Sequence, residues 1–197
     1  MVPNFRWQAN AVVTVGDGRG FLIDGDPDSV VVTAARCLPR LPVDYPWTTD
    51  KRIYRDLIGP LREKPSITVE CLFVDPVSDL AVLGPPDREK LSDKYEGYRG
   101  LVMRRPTLPI APLRQTAIRS RGAAGWLLSI DGAWVSCKVR QRNGTLSMET
   151  AEAFAAEMLG SPILNASGVA IGAISYTVHP HLCDRLPAWL ARAARMR

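Results

Sequence analysis

A chain of 197 residues and 21.7 kDa, 46% of them hydrophobic, is long enough to bury a substantial core as one domain or two small subdomains. Its formal charge of +5 permits attraction to nucleic acid or acidic proteins, but the basic residues, mostly arginine, are scattered rather than blocked, so charge alone does not argue for nucleic-acid binding. No apolar run approaches the roughly 20 residues of a membrane span, residues 1–8 lack a basic-then-apolar secretory pattern, and Cys37, Cys71, Cys137 and Cys183 form no close pair of the zinc, haem or dithiol kind; the expectation is a soluble, cytoplasmic protein with reduced, buried thiols, no metal and no cofactor.

Runs rich in β-branched residues predict strands over 11–15, 20–23, 29–33, 67–74 and 80–83. Asp17-Gly18, Asp24-Gly25-Asp26-Pro27-Asp28 and Asp75-Pro76 separate them with residues that tolerate or pre-set turn dihedrals, which fits antiparallel connections. The helical patterns that parallel crossovers need are mostly missing. Within this first set, Ile53, Tyr54, Leu57, Ile58 and Leu61 fall at helical spacing with Thr49 or Asp50 placed to cap, and predict a short inserted helix over 48–61.

Residues 85–112 read as the link to a second set of strands, over 125–130, 133–139, 145–148, 161–164 and 169–176. Asp131-Gly132, Asn143-Gly144 and Ser167-Gly168 supply its turns. The tail, 187–197, reads as a helix docked on the second set: Pro187 suits a first turn, Trp189, Leu190 and Ala193 share a face, and Arg192, Arg195 and Arg197 complement the dipole at its end. The chain thus divides into an N-terminal β-unit, 1–105, and a C-terminal one, 106–197, which together make one domain. No internal sequence repeat is visible, although two similar β-units suggest structural duplication.

Three motifs stand out on this framework: Val32-Thr33-Ala34-Ala35-Arg36-Cys37-Leu38, Asp79-Leu80-Ala81-Val82-Leu83 and Leu159-Gly160-Ser161-Pro162-Ile163-Leu164. In order and spacing they resemble the trypsin-like (chymotrypsin-fold) serine peptidases, whose corresponding motifs read T-A-A-H-C, D-[LI]-A-[LV]-L and G-x-S-G-[GS]-P. Gly18-Arg19-Gly20-Phe21 resembles the strand before the family's His motif, and residues 165–172 resemble the hairpin after its Ser motif. The resemblance covers about residues 11–190 and implies an all-β fold of two six-stranded antiparallel Greek-key β-barrels, with a short inserted helix and a C-terminal helix.

It also implies a triad with two members missing. The chemistry needs a hydroxyl nucleophile, an imidazole to take and return its proton, and a carboxylate to orient that imidazole. Arg36 stands at the position of the base, and a guanidinium remains protonated and accepts nothing. Leu159 stands at the position of the nucleophile and has no atom with which to attack a carbonyl. Glu157 replaces the glycine whose N–H helps to form the family's oxyanion hole, where a carboxylate repels an oxyanion. Asp79 retains the third triad position and is expected to pair with Arg36 in a partly buried salt bridge.

Other candidates have plainer readings. Ser161, two residues after Leu159, matches a small residue packed as strand backbone. His179 and His181 lie beyond the last predicted strand, and with Asp184 alone they do not complete a metal site. Cys37 reads as a buried free thiol beside Arg36 rather than an activated nucleophile. Most of the tryptophans belong to cores, but Trp47 and Tyr45, in Asp44-Tyr45-Pro46-Trp47, are expected to be exposed and available to a partner.

These readings lead to a pseudoprotease that binds and does not cut, taking a protein or peptide along strand edges. The resemblance extends to small bacterial trypsin-like proteins of signalling or anti-phage systems, so an associated protease or signalling protein is an expected partner. Two alternatives remain open: a residual hydrolase with a relocated nucleophile, Ser161 or Cys37, and a nucleic-acid binder using Arg104-Arg105, 119–121, 140–142 and the C-terminal helix, whose affinity would fall steeply with salt.

Overall fold

The computed structural model describes residues 5–26, 28–41, 52–86, 93–110, 122–142, 145–150, 153–175, 179–180, 186–187 and 190; for 141, 142, 145, 179 and 180 it describes the backbone only. Among these described residues, twelve strands make two antiparallel ladders. The first contains β1 (Val12–Val15), β2 (Gly18–Ile23), β3 (Val30–Thr33), β4 (Ile53–Pro60), β5 (Ile67–Asp75) and β6 (Leu80–Gly84). It runs β1-β2-β3-β6-β5-β4 and closes into a barrel where β4 pairs back onto β1, Thr14 opposite Gly59.

The second contains β7 (Ala123–Leu128), β8 (Trp134–Arg142), β9 (Thr145–Glu149), β10 (Pro162–Leu164), β11 (Ala170–Ala173) and β12 (His179–Pro180), in the order β11-β10-β7-β8-β9-β12. Numbered from its own first strand, this is the cyclic order of the first barrel cut open between its fifth and sixth strands. The duplication invisible in the sequence is therefore present in the topology. The second unit is a curled six-stranded sheet, with no pairing among the described residues joining β11 to β12, and with the closed barrel it makes the expected all-β double-barrel architecture.

Both faces of the strands at the junction are covered. On β2 and β3, Leu22 and Val31 point into the first barrel, while Phe21 and Val32 pack with Trp126, Leu128, Leu164 and Ala170 of the second sheet. A strand apolar on both sides reads as a continuous run rather than an alternation, which is why 20–23 and 29–33 are easy to find in the sequence.

The segment expected to be a helix over 48–61 is instead β4 from Ile53 onward, its earlier part lying outside the described residues. A bulge explains the misleading period. The pairing with β5 shifts register between Tyr54 and Ile58, and Asp56 adopts a left-handed φ of 49°. Arg55 and Asp56 are both exposed while Tyr54, Leu57 and Ile58 are buried. Four positions on β4 stand against two on β5, and these two extra residues reproduce the three-then-four apolar spacing of a helix.

The linking region contains a helix, α2 (Asp93–Val102), which buries Tyr95, Tyr98, Leu101 and Val102. The Tyr98 hydroxyl donates to the Ser29 carbonyl at 2.7 Å. Gly97 and Gly100 weaken its helical signal in the sequence; a Cβ at either would meet nothing within 4 Å, so both are spent on open space. A short helix, α1 (Arg6–Ala9), follows Phe5, whose ring packs edge-on against Trp126 and Trp134 at 5.7 and 5.6 Å. The Trp134 indole N–H donates to the Phe5 carbonyl at 3.1 Å. Of the expected C-terminal helix, only Pro187 and the fully buried Leu190 are described; the rest lies outside the described residues.

Candidate functional site

The three motifs meet at the junction of the two units. At the end of β3, Ala34 is extended and a single 3-10 turn, Ala35–Cys37, turns Arg36 outward. Asp79 lies just before β6 in the left-handed region, φ 52°, which aspartate tolerates better than most residues. In this conformation its carbonyl accepts the Ala35 N–H at 3.2 Å and its carboxylate faces the turn.

The Asp79 carboxylate collects three donors. The Arg36 backbone N–H reaches Oδ1 at 3.1 Å, the Arg36 Nε–H reaches Oδ2 at 2.7 Å, and the Ser175 hydroxyl reaches Oδ2 at 2.6 Å. Asp79 is 4% exposed and Arg36 39%, so this ion pair is buried at its anionic end and open at its cationic end. Ser175 follows β11 of the second sheet, which makes the carboxylate a tie between the two units. Sequence reasoning missed Ser175: it shares no motif with Asp79, and only the fold brings together residues separated by 96 positions.

The facing wall is built by backbone contact. A second 3-10 turn, Ala156–Met158, leads into Leu159, whose N–H donates to the Ala156 carbonyl at 3.1 Å. The Leu159 carbonyl accepts the Arg19 N–H at 2.7 Å and the Cys37 thiol at 3.7 Å. Gly160 has φ 77°, and a Cβ there would lie 2.0 Å from the Arg19 carbonyl oxygen and 2.6 Å from Thr33 Oγ1, so only glycine fits. The Leu159 side chain is 8% exposed and packs into the core cluster with Cys37 and Met158.

Arg19 reinforces this contact in a way the sequence did not signal beyond its place between two glycines. Buried on β2, it donates from Nη1 to the carbonyls of Leu128 and Ser129 at 2.7 and 3.0 Å, and from Nη2 to that of Ile130 at 3.3 Å. Arg62 donates to the same Ile130 carbonyl at 2.8 Å. Burial, then the Arg62 charge, lowers the Arg19 pKa, and the nearby Glu157 carboxylate pulls in the opposite direction.

The alternative nucleophiles are poorly placed for reaction. Ser161 is completely buried and its Oγ has no hydrogen-bond partner among the described residues. Burial pushes the Cys37 thiol pKa up, which disfavours the thiolate. Tyr45, Trp47, His181 and Asp184 lie outside the described residues, and His179 is described only as backbone in β12.

A closed barrel and a curled sheet of the same strand order, with the three motifs at their junction, constitute the chymotrypsin-like serine protease fold. Among solved structures, the chain is similar to the inactive form of the Rv3671c protease, with 15% identity over 91% of this chain and 87% of that one and a TM-score of 0.52. A human pathogenic astrovirus serine protease aligns with 13% identity, 87% coverage of both chains and a TM-score of 0.49. Comparison with protein-family models and with curated proteins gives no match. No helix among the described residues is long and apolar enough to cross a membrane.

Proposed function

We propose that this chain is a catalytically inactive trypsin-like homologue that works by binding, with Arg36, Asp79, Leu159 and Glu157 at the positions where an active relative carries its base, its orienting carboxylate, its nucleophile and an oxyanion-hole glycine. The observation that carries this reading is the Arg36 guanidinium seated 2.7 Å from Asp79. An imaginary imidazole would need that same carboxylate face, and a guanidinium cannot replace it as a base.

Two further observations support it. Acyl transfer needs backbone N–H groups aimed at the developing oxyanion, but the Leu159 N–H is already donated to the Ala156 carbonyl. The hydrolase alternative needs an activated hydroxyl or thiol, and Ser161 is buried with no partner among the described residues while burial raises the Cys37 pKa.

The binding we infer is of an extended peptide or a protein segment that adds main-chain hydrogen bonds to an edge of the open second sheet. The resemblance to bacterial signalling and anti-phage components supports an associated protease or signalling protein as the partner. Fluorophosphonate and iodoacetamide probes should leave the native protein unlabelled at Ser161 and Cys37, and casein should remain intact. Labelling abolished by Ser161→Ala or Cys37→Ala would overturn the reading. Mass spectrometry of nuclease-treated co-purifying proteins, beside a variant lacking residues 44–49, tests whether Tyr45 and Trp47 carry the contact; recovery of nucleic acid alone would favour the basic-surface alternative.

A further inference from the structure

Arg40, Arg55 and Lys94 come from three separate elements, namely the stretch after the first 3-10 turn, the bulged part of β4 and the start of α2, yet they line one recess. The recess has a volume of about 540 Å3, and Pro39, Ile53 and Tyr54 complete its described lining. Arg40 stands four positions after Arg36 in the chain and is no part of the Arg36–Asp79 pair.

Convergence of three like charges is unfavourable unless an anion offsets it. The described lining of the recess contains no carboxylate among the three cations. Arg40 is exposed; its guanidinium carbon lies 5.9 Å from the Tyr54 ring centroid, and its backbone carbonyl accepts the Tyr54 hydroxyl at 2.8 Å. Burial raises the Tyr54 pKa to about 12, so the phenol stays neutral and adds no negative charge to the wall at physiological pH.

We propose that this recess is an anion-binding pocket that receives an acidic segment of the peptide or protein partner, with Arg40, Arg55 and Lys94 taking its carboxylates. The proposal rests on the binding-module reading and names the chemistry of its partner. A guanidinium pairs with a carboxylate through parallel N–H donors, and the compact ammonium of Lys94 adds a point charge. Nucleic-acid recognition instead calls for cations spread along a phosphate track, whereas these three converge on one hole of a size suited to one or two side chains.

The test is fluorescence anisotropy with a labelled ten-residue glutamate peptide, its glutamine counterpart and a single-stranded oligodeoxynucleotide, with inorganic phosphate as competitor. The glutamate peptide should bind and the glutamine peptide should not. R40Q/R55Q/K94Q should weaken glutamate-peptide binding at least tenfold, while the charge-matched control R104Q/K138Q/R140Q should change it less than twofold. Millimolar phosphate should compete only weakly, since one ion replaces one of several carboxylates. Equal losses in both triple variants, no loss in the first, tighter binding of the oligonucleotide or full displacement by phosphate would each overturn the proposal. Fluorophosphonate labelling fails the binding-module reading without altering the anisotropy result, and an unchanged peptide affinity fails the pocket without altering the labelling result.

Discussion

On the first-barrel side of the junction, a nearly buried carboxylate is held by side-chain and backbone donors from both units, whereas on the second-sheet side the main chain of Leu159 and Gly160 makes the contacts. The difference separates two reasons for a residue to persist at this junction. Asp79 satisfies Arg36 and Ser175 and ties the units together, so it has structural work whether or not a proton moves. The Leu159 side chain carries no polar tie; its main chain makes the connection, and the side chain is left to fill the core. A junction built this way can exchange the chemistry of its second wall and keep its shape.

The largest effect should come from Gly160→Ala, which breaks the second wall. With φ 77° and a backbone oxygen 2.0 Å from the new Cβ, the substitution should cost about 4 kcal/mol or more, seen as loss of soluble folded protein. A melting temperature equal to that of the unmodified chain would mean that the two units do not meet there. Arg19→Met removes the donors that hold three carbonyls of the second sheet while keeping most of the side-chain volume. Chemical denaturation should show a loss of about 3 kcal/mol, and a change below the error of the measurement would remove Arg19 as a tie.

The smallest of the three, Asp79→Asn, probes the first wall. Asparagine tolerates the left-handed backbone, so the variant isolates the charge. Arg36 is more than a third exposed and water takes over part of the pairing; the expected loss is about 2 kcal/mol, below that for breaking a fully buried pair. If Asp79→Asn proved costlier than Arg19→Met, the carboxylate rather than the buried arginine would be the principal link between the units.

Much of this architecture was legible in the sequence because its central strands are buried on both faces and therefore read as uninterrupted β-branched runs. Where local order departs from a simple period, the reading failed: the bulge at Asp56 imitated a helix, and the glycines of α2 concealed one. Three short motifs singled out Arg36, Asp79 and Leu159, and the fold brings those motifs to one junction. Ser175, the carbonyl grip of Arg19 and the hydrogen bond from the Leu159 amide to Ala156 depend on partners far away or on main-chain direction, neither of which a residue pattern records.

The turn at Ala156–Met158 has an evolutionary consequence. A single mutation that put a hydroxyl at position 159 would create a buried group with no base beside it and an amide already committed to Ala156. Changing Arg36 to histidine alone would lend that histidine nothing to deprotonate. On the proposed reading neither change alone gives a hydrolase, so the turn acts as a ratchet that leaves selection free to refine binding.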